Sequence, residues 1–173
     1  MIGGRGAMVA VFGLAGLLLV IALVSGWQGA SRLTSRSDDT KAVEGAATAF
    51  VEAYGTFDFR DPASYQRRLL PLTSGQVREA VLTSGIDPAA LAQQQTMTAH
   101  VLAVVVTAQS DAGATASVTA EQTRRAVDPA SGVFTDKRLV QRSDCRLVKE
   151  AGNWVVAEFH LQSAEPQTAP SGN

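Results

Sequence analysis

Between Arg5 and Arg32 the chain carries no charged residue, and inside that stretch residues 7–24, AMVAVFGLAGLLLVIALV, form an unbroken apolar run. As a helix its eighteen residues at about 1.5 Å each reach roughly 27 Å, close to the ~30 Å hydrocarbon core of a bilayer. The run's eleven Leu, Ile, Val and Phe residues, at roughly −0.3 to −0.6 kcal/mol each, favour insertion by about 3 to 7 kcal/mol. Trp27 follows where an interfacial aromatic belongs. The expectation is a short flank at 1–6 and a transmembrane helix at 7–27, with the lipid bilayer as its first partner. A cleavable signal peptide is the alternative; it would carry a shorter apolar region and a small-x-small site. Val24-Ser25-Gly26 and Gln28-Gly29-Ala30 match that site poorly. Either way the rest of the chain is exported or membrane-bound. Counting bases, Arg32, Arg36 and Lys41 against Arg5 and the α-amine, places that remainder in the cytoplasm.

Residues 28–40 are small, polar and charged and read as a linker, with Asp39 or Thr40 as a helix cap. Val43, Ala46, Ala47, Phe50, Tyr54 and Phe57 then recur at three- and four-residue steps, the apolar stripe of an amphipathic helix. Asp61-Pro62 and Asp87-Pro88 each put a capping carboxylate before a proline suited to the first helical turn. Thr73-Ser-Gly-Gln76 has the spacing of a capping box.

From Thr96 the period changes. Thr96–Ala108 is β-branched and apolar, and Ser110–Gly113 reads as a turn. In the next run Ala116, Val118 and Ala120 alternate with Thr115, Ser117, Thr119 and Glu121, the pattern of an antiparallel strand with one wet face. Asp128–Gly132 and Ala151–Asn153 read as further turns, delimiting strands over about 133–149 and 154–162. Residues 163–173 have no core-forming pattern and read as a tail. Helices first and antiparallel strands after predict an α+β domain at 41–162: three to four helices on a curved, four-stranded, mostly antiparallel sheet.

The opening stretch AAxAFVEAYGTFDFRDP at 46–62 and the closing CRLVKEAGNWVVAEF at 145–159 resemble the nuclear transport factor 2-like (cystatin-like) cone fold. Behind an N-terminal anchor they resemble the mammalian-cell-entry (Mce)-associated membrane proteins and the bitopic assembly factors of type IV secretion and conjugation. The resemblance implies a domain outside the cytoplasm, against the base count, that holds other envelope proteins. It implies a non-enzymatic accessory or scaffold subunit of a secretion, conjugation or lipid-import complex, and leaves room for a homo-oligomer. The alternative is a small-molecule-binding or catalytic domain of the same fold.

Few residues offer chemistry. Without Arg5 the remaining 14 bases face 16 acids, which lacks the basic field of nucleic-acid binders. The single cysteine, Cys145, forms no internal disulfide or cysteine zinc site. No metal-spaced cluster, phosphate loop or nucleophile elbow appears, so no catalytic residue, metal or cofactor is expected. Asp58, Arg60 and Asp61 fall between helices, and Asp61 is already explained as a cap. His160 shares an outward strand face with Glu158 and Gln162, opposite Val155, Ala157, Phe159 and Leu161. His100, at the mouth of the first strand, and Tyr54 are candidates for a pocket rim. Arg124, Arg125, Lys137, Arg138, Arg142 and Arg146 crowd the second and third strands as a candidate basic interaction face.

Overall fold

The computed structural model describes residues 37–166. By internal packing the chain divides after Asp39, and the unit from Thr40 to Asn173 contains the domain. The expected transmembrane helix at 7–27, the linker up to residue 36 and the last residues of the tail lie outside the described residues. Among the described residues no helix is long and apolar enough to cross a membrane.

Residues 37–54 are helical (α1), so Asp39 and Thr40 lie inside the helix instead of capping it. The Thr40 hydroxyl bonds the Gln109 side chain, 2.8 Å away. Of the stripe read from the sequence, Val43, Ala47 and Phe50 are fully buried and Ala46 is half-buried, whereas Tyr54 is exposed and Phe57 lies beyond the helix. Val51, outside the stripe, is nearly buried as well. After a two-residue strand β1 (Phe57–Asp58) come α2 (Pro62–Leu69), a 3-10 turn (Leu70–Leu72), α3 (Gly75–Thr83) and α4 (Pro88–Ala92). Both Asp-Pro caps form: Asp61 accepts from Ser64 N–H, and Asp87 from Ala89 N–H at 2.9 Å. The capping box does not. The Thr73 hydroxyl donates to the Leu70 carbonyl at 3.2 Å while its backbone bridges to Val156, and the Ser74 hydroxyl donates to the Glu150 carboxylate, so neither side chain serves α3.

The sheet is β1-β2-β3-β4-β5 in sequential antiparallel order, with β2 (Thr96–Gln109), β3 (Gly113–Val127), β4 (Phe134–Glu150) and β5 (Asn153–Pro166). It has five strands where four were expected, because β1 is too short to leave a periodicity. The last strand runs through Pro166, four residues into the expected tail. The β2–β3 and β3–β4 hairpins close through the expected turns. Ser110 N–H donates to Gly113 at 2.8 Å, and Asp128 accepts from Ala130 and Ser131 ahead of Gly132 at φ 68°.

Register shifts put extra residues into β2 at Leu102 and Thr107 and into β5 at Ala157 and Gln162. Such bulges tighten the strand twist and curl a sheet. On the inner face β3 presents Ala114, Ala116, Val118 and Ala120, all buried in one core with Val43, Ala47 and Phe50 of α1. Small side chains there let the helix approach the sheet. Fully burying a Phe, Leu or Val side chain contributes about 1.5–3 kcal/mol, and Phe50, Leu69, Leu147 and Val156 are completely enclosed.

The bulge at Ala157 also corrects the expected phase of β5. Trp154 and Val156 are the buried residues before it, and Phe159 turns inward after it, while Val155 and Ala157 are only half-buried.

Candidate functional site

The end of α1, helices α2 to α4 and the inner face of the sheet enclose a cleft of about 800 Å³. One wall is aromatic. Phe159 packs edge-on to Phe50 at 5.2 Å and tilted against Tyr54 at 4.7 Å, and Phe57 meets Tyr65 edge-on at 5.9 Å. The opposite wall is aliphatic, with Val77 and Val81 from α3, Ile86 from the loop that follows it and Ala90 from α4.

The polar groups along this lining are mostly committed. Tyr65 donates its hydroxyl to the Tyr54 carbonyl at 3.2 Å. Burial, seconded by Tyr54 and opposed by Arg68, pushes the Tyr65 pKa up to about 12. Gln66 donates to the Val81 carbonyl at 2.7 Å. Asp87 caps α4, and Glu158 holds Arg146 across the sheet. Gln95, 7 % exposed, also lines the cleft, whereas the buried side-chain polar atom without a partner among the described residues is Trp154 Nε1 on β5.

Of the two expected rim residues, Tyr54 lines the cleft and His100 does not. In β2 Ala99 and Val101 pair with the inward Gln122 and Ala120, so the pleat turns His100 outward, opposite Glu121. There its Nδ1 sits 3.6 Å from the Glu52 carboxylate, which also accepts from Val101 N–H at the strand edge. His160, read as solvated, is exposed and borders the cleft through β5. The cleft residues that sequence reasoning left out, Gln95, Met97 and Ile86, carry no local signal, because only the fold brings them to one hollow.

The six basic residues do not share a face. β3 and β4 pair Arg124 with Lys137, Thr123 with Arg138, Thr119 with Arg142 and Thr115 with Arg146. Directly paired residues lie on the same side of a sheet. Arg125, Arg138, Arg142 and Arg146 therefore occupy the outer, helix-free face. Arg124 and Lys137 fall on the inner phase, around a separate hollow of about 130 Å³ beside Gln93 and Asp128. On the outer face Arg138 meets Glu121 at 3.3 Å, Arg125 meets Asp136 at 3.9 Å and Arg146 pairs with Glu158. Asp144 accepts from Ser117 and Gln162. Arg142 has no ion-pair partner among the described residues. The face is a chequer of both charges, not a basic field.

No protein-family profile matches this sequence, and no curated protein matches it. Solved structures do. One is a nuclear transport factor 2-like protein involved in plasmid conjugation, 15% identical with a TM-score of 0.51, the match covering 78% of this chain and 52% of that one. This chain thus spans about half of that structure's length. Others are an IcmL-like type IV secretion system protein from Legionella pneumophila subsp. pneumophila str. Philadelphia 1 (12% identity, TM-score 0.46, 74% and 93% covered) and a periplasmic fragment of TraM (12%, 0.44, 74% and 98%). At such identities the likeness is one of fold. With α1 packed in the hollow of a curled antiparallel sheet and short helices closing its open side, the domain has the nuclear transport factor 2-like fold.

Proposed function

We propose that this protein is a membrane-anchored, non-enzymatic accessory subunit of a cell-envelope complex of the secretion, conjugation or lipid-import type. Its domain stands outside the cytoplasm and holds other envelope proteins. The observation that carries this reading is a pairing: a charge-free apolar run at 7–24 ahead of a fold shared with a protein involved in plasmid conjugation. The outer sheet face is the docking surface, with Arg138, Arg142 and Arg146 in one row along β4. Exposed charges orient a partner and speed encounter more than they add affinity, a role that a mixed-charge face can fill.

A catalytic role in this fold is less favoured. General acid–base work needs a titratable group aimed at a substrate. Asp87, which borders the cleft, is tied to a helix cap, while Glu158, His100 and His160 lie on the outer face, Glu158 paired with Arg146.

The test is a reporter active only after export, fused behind Asn173 so that β5 stays whole. Export-dependent activity, with the protein retained in membranes after carbonate washing, is the expected result. Silence of that fusion alongside activity of a cytoplasm-only reporter would reverse the topology and remove the envelope reading.

A further inference from the structure

We propose that the small hollow beside the β3–β4 turn binds one phosphate group, held by Arg124, Lys137 and Gln93. Arg124 and Lys137 are paired directly across the two strands, so they share the inner side of the sheet. Like charges set opposite one another in this way destabilise a sheet. Their own row does not relieve them. On β2 the residue opposite Arg124 is Met97, and among the described residues β5 pairs with β4 only as far as Leu139, short of Lys137. The outer face treats its bases differently, giving Arg125, Arg138 and Arg146 a carboxylate each. Neither Arg124 nor Lys137 makes an ion pair among the described residues. An anion seated between them supplies what the row lacks.

A third donor comes from the helical layer. Gln93 ends α4, and its carbonyl accepts from Val127 N–H at 2.7 Å, which pins that turn against β3. The Gln93 side-chain oxygen accepts from Arg124 Nη2 at 3.4 Å, leaving its amide N–H groups as donors on the lining. Three donor groups from three elements suit an anion with at least three oxygens, which a phosphate has and a carboxylate lacks. Guanidinium and ammonium are both established phosphate partners, the first as a fork and the second as a point charge. At about 130 Å³ the hollow admits one such group and not a whole small molecule, for which roughly 300–1,000 Å³ is usual.

The acid on the lining, Asp128, is turned onto its own loop. Ser131 and Ala130 N–H, 3.1 and 2.8 Å away, hold its pKa low, ahead of a lesser pull from Lys137. Thr135 spends its hydroxyl on the Ala126 carbonyl at 3.3 Å. Next along the same hairpin, Val133 and Phe134 are 61 % and 45 % exposed. The phosphate can therefore belong to a soluble ester or to a lipid headgroup, the acyl side of which those two would meet. The hollow lies on the inner side of the sheet, so it and the outer docking face can fail independently.

The test follows the side-chain Nε–H signal of Arg124 by NMR, in the full chain held in dodecyl maltoside at fixed ionic strength. Inorganic phosphate replacing chloride should shift that signal saturably and leave the signal of Arg142, on the outer face, unmoved. Lys137→Gln should raise the phosphate concentration at half-shift about tenfold, as expected for losing one hydrogen bond to a charged group. Phosphatidic acid and the matching diacylglycerol, each mixed into the micelles, separate the two sources. If a lipid supplies the phosphate, phosphatidic acid moves the signal at lower concentration than inorganic phosphate does, diacylglycerol leaves it in place, and Phe134→Ser weakens phosphatidic acid alone. If a soluble ester supplies it, phosphatidic acid gains nothing over inorganic phosphate, and Phe134→Ser changes neither titration. No shift beyond that in chloride, an equal shift at Arg142, or a midpoint unchanged by Lys137→Gln would overturn the proposal.

Discussion

A Cβ built on Gly55 would stand 2.3 Å from the Cβ of Ala99, so the end of α1 and strand β2 meet through the absence of a side chain. Gly55→Ala forces one of the two elements to move. Overpacking of this kind costs about 1–3 kcal/mol, and urea unfolding should show it as a lowered midpoint. Gly45, ten residues earlier on the exposed side of the same helix, has open space around it. Gly45→Ala should stabilise by up to about 1 kcal/mol, because alanine is the better helix former. A glycine matters here by position, not by type.

Alkaline pH should destabilise the fold through buried Cys145 and half-buried Tyr65. Burial, with Asp144 adding to it, pushes the Cys145 thiol from 9.0 up to about 12. Burial does the same to Tyr65, from 10.0 to about 12. In both the folded state holds the proton more tightly than the unfolded state. The stability they add is complete below the unfolded values and is lost as pH climbs through the folded ones. Stability should therefore fall between about pH 9 and pH 12. Cys145→Ala should remove the earlier part of that loss and Tyr65→Phe the later part, as read from urea midpoints across pH. Absorbance at 295 nm should show Tyr65 still protonated in the native protein at pH 11.

The caps make a sharper contrast. Asp87→Ala removes the acceptor for Ala89 N–H and should cost about 0.5–2 kcal/mol. Gln76→Ala, which would break a capping box if one existed, should change stability by no more than about 0.5 kcal/mol. Gln76 is exposed, and the residues before it are employed elsewhere.

That contrast marks how far the sequence alone reaches. Local signals held wherever a residue's task is local: the two Asp-Pro caps, the turns at Ser110–Gly113 and Asp128–Gly132, and the inward Ala116, Val118 and Ala120. They failed where a distant strand competes. Ser74 left its helix for Glu150, and the backbone of Thr73 is held by Val156. The phase of β5 was unreadable because the bulge at Ala157 inserts a residue that periodicity cannot reveal. The basic cluster looked like one face because six residues crowd two strands. Only the pairing of Arg124 with Lys137, against Thr123 with Arg138, tells inner from outer. The cleft was legible only in part: Tyr54 was expected at a pocket rim and lines it, whereas Gln95 and Phe159, far apart in sequence, both reach it only in the folded domain.

The most direct test of the envelope-subunit account is quantitative mass spectrometry of proteins crosslinked to the full chain in its native membranes. Three forms are compared: the wild type, the outer-face variant Arg138→Glu/Arg142→Glu/Arg146→Glu, and the inner-phase variant Arg124→Glu/Lys137→Glu. The surface pairs removed contribute only about 0–1 kcal/mol each, so both variants should remain folded. The account predicts envelope proteins recovered with the wild type and with the inner-phase variant. With the outer-face variant their recovery should drop on the order of tenfold, and the wild-type association should weaken as salt is raised. Recovery of no envelope protein, or equal recovery from all three forms, would contradict it.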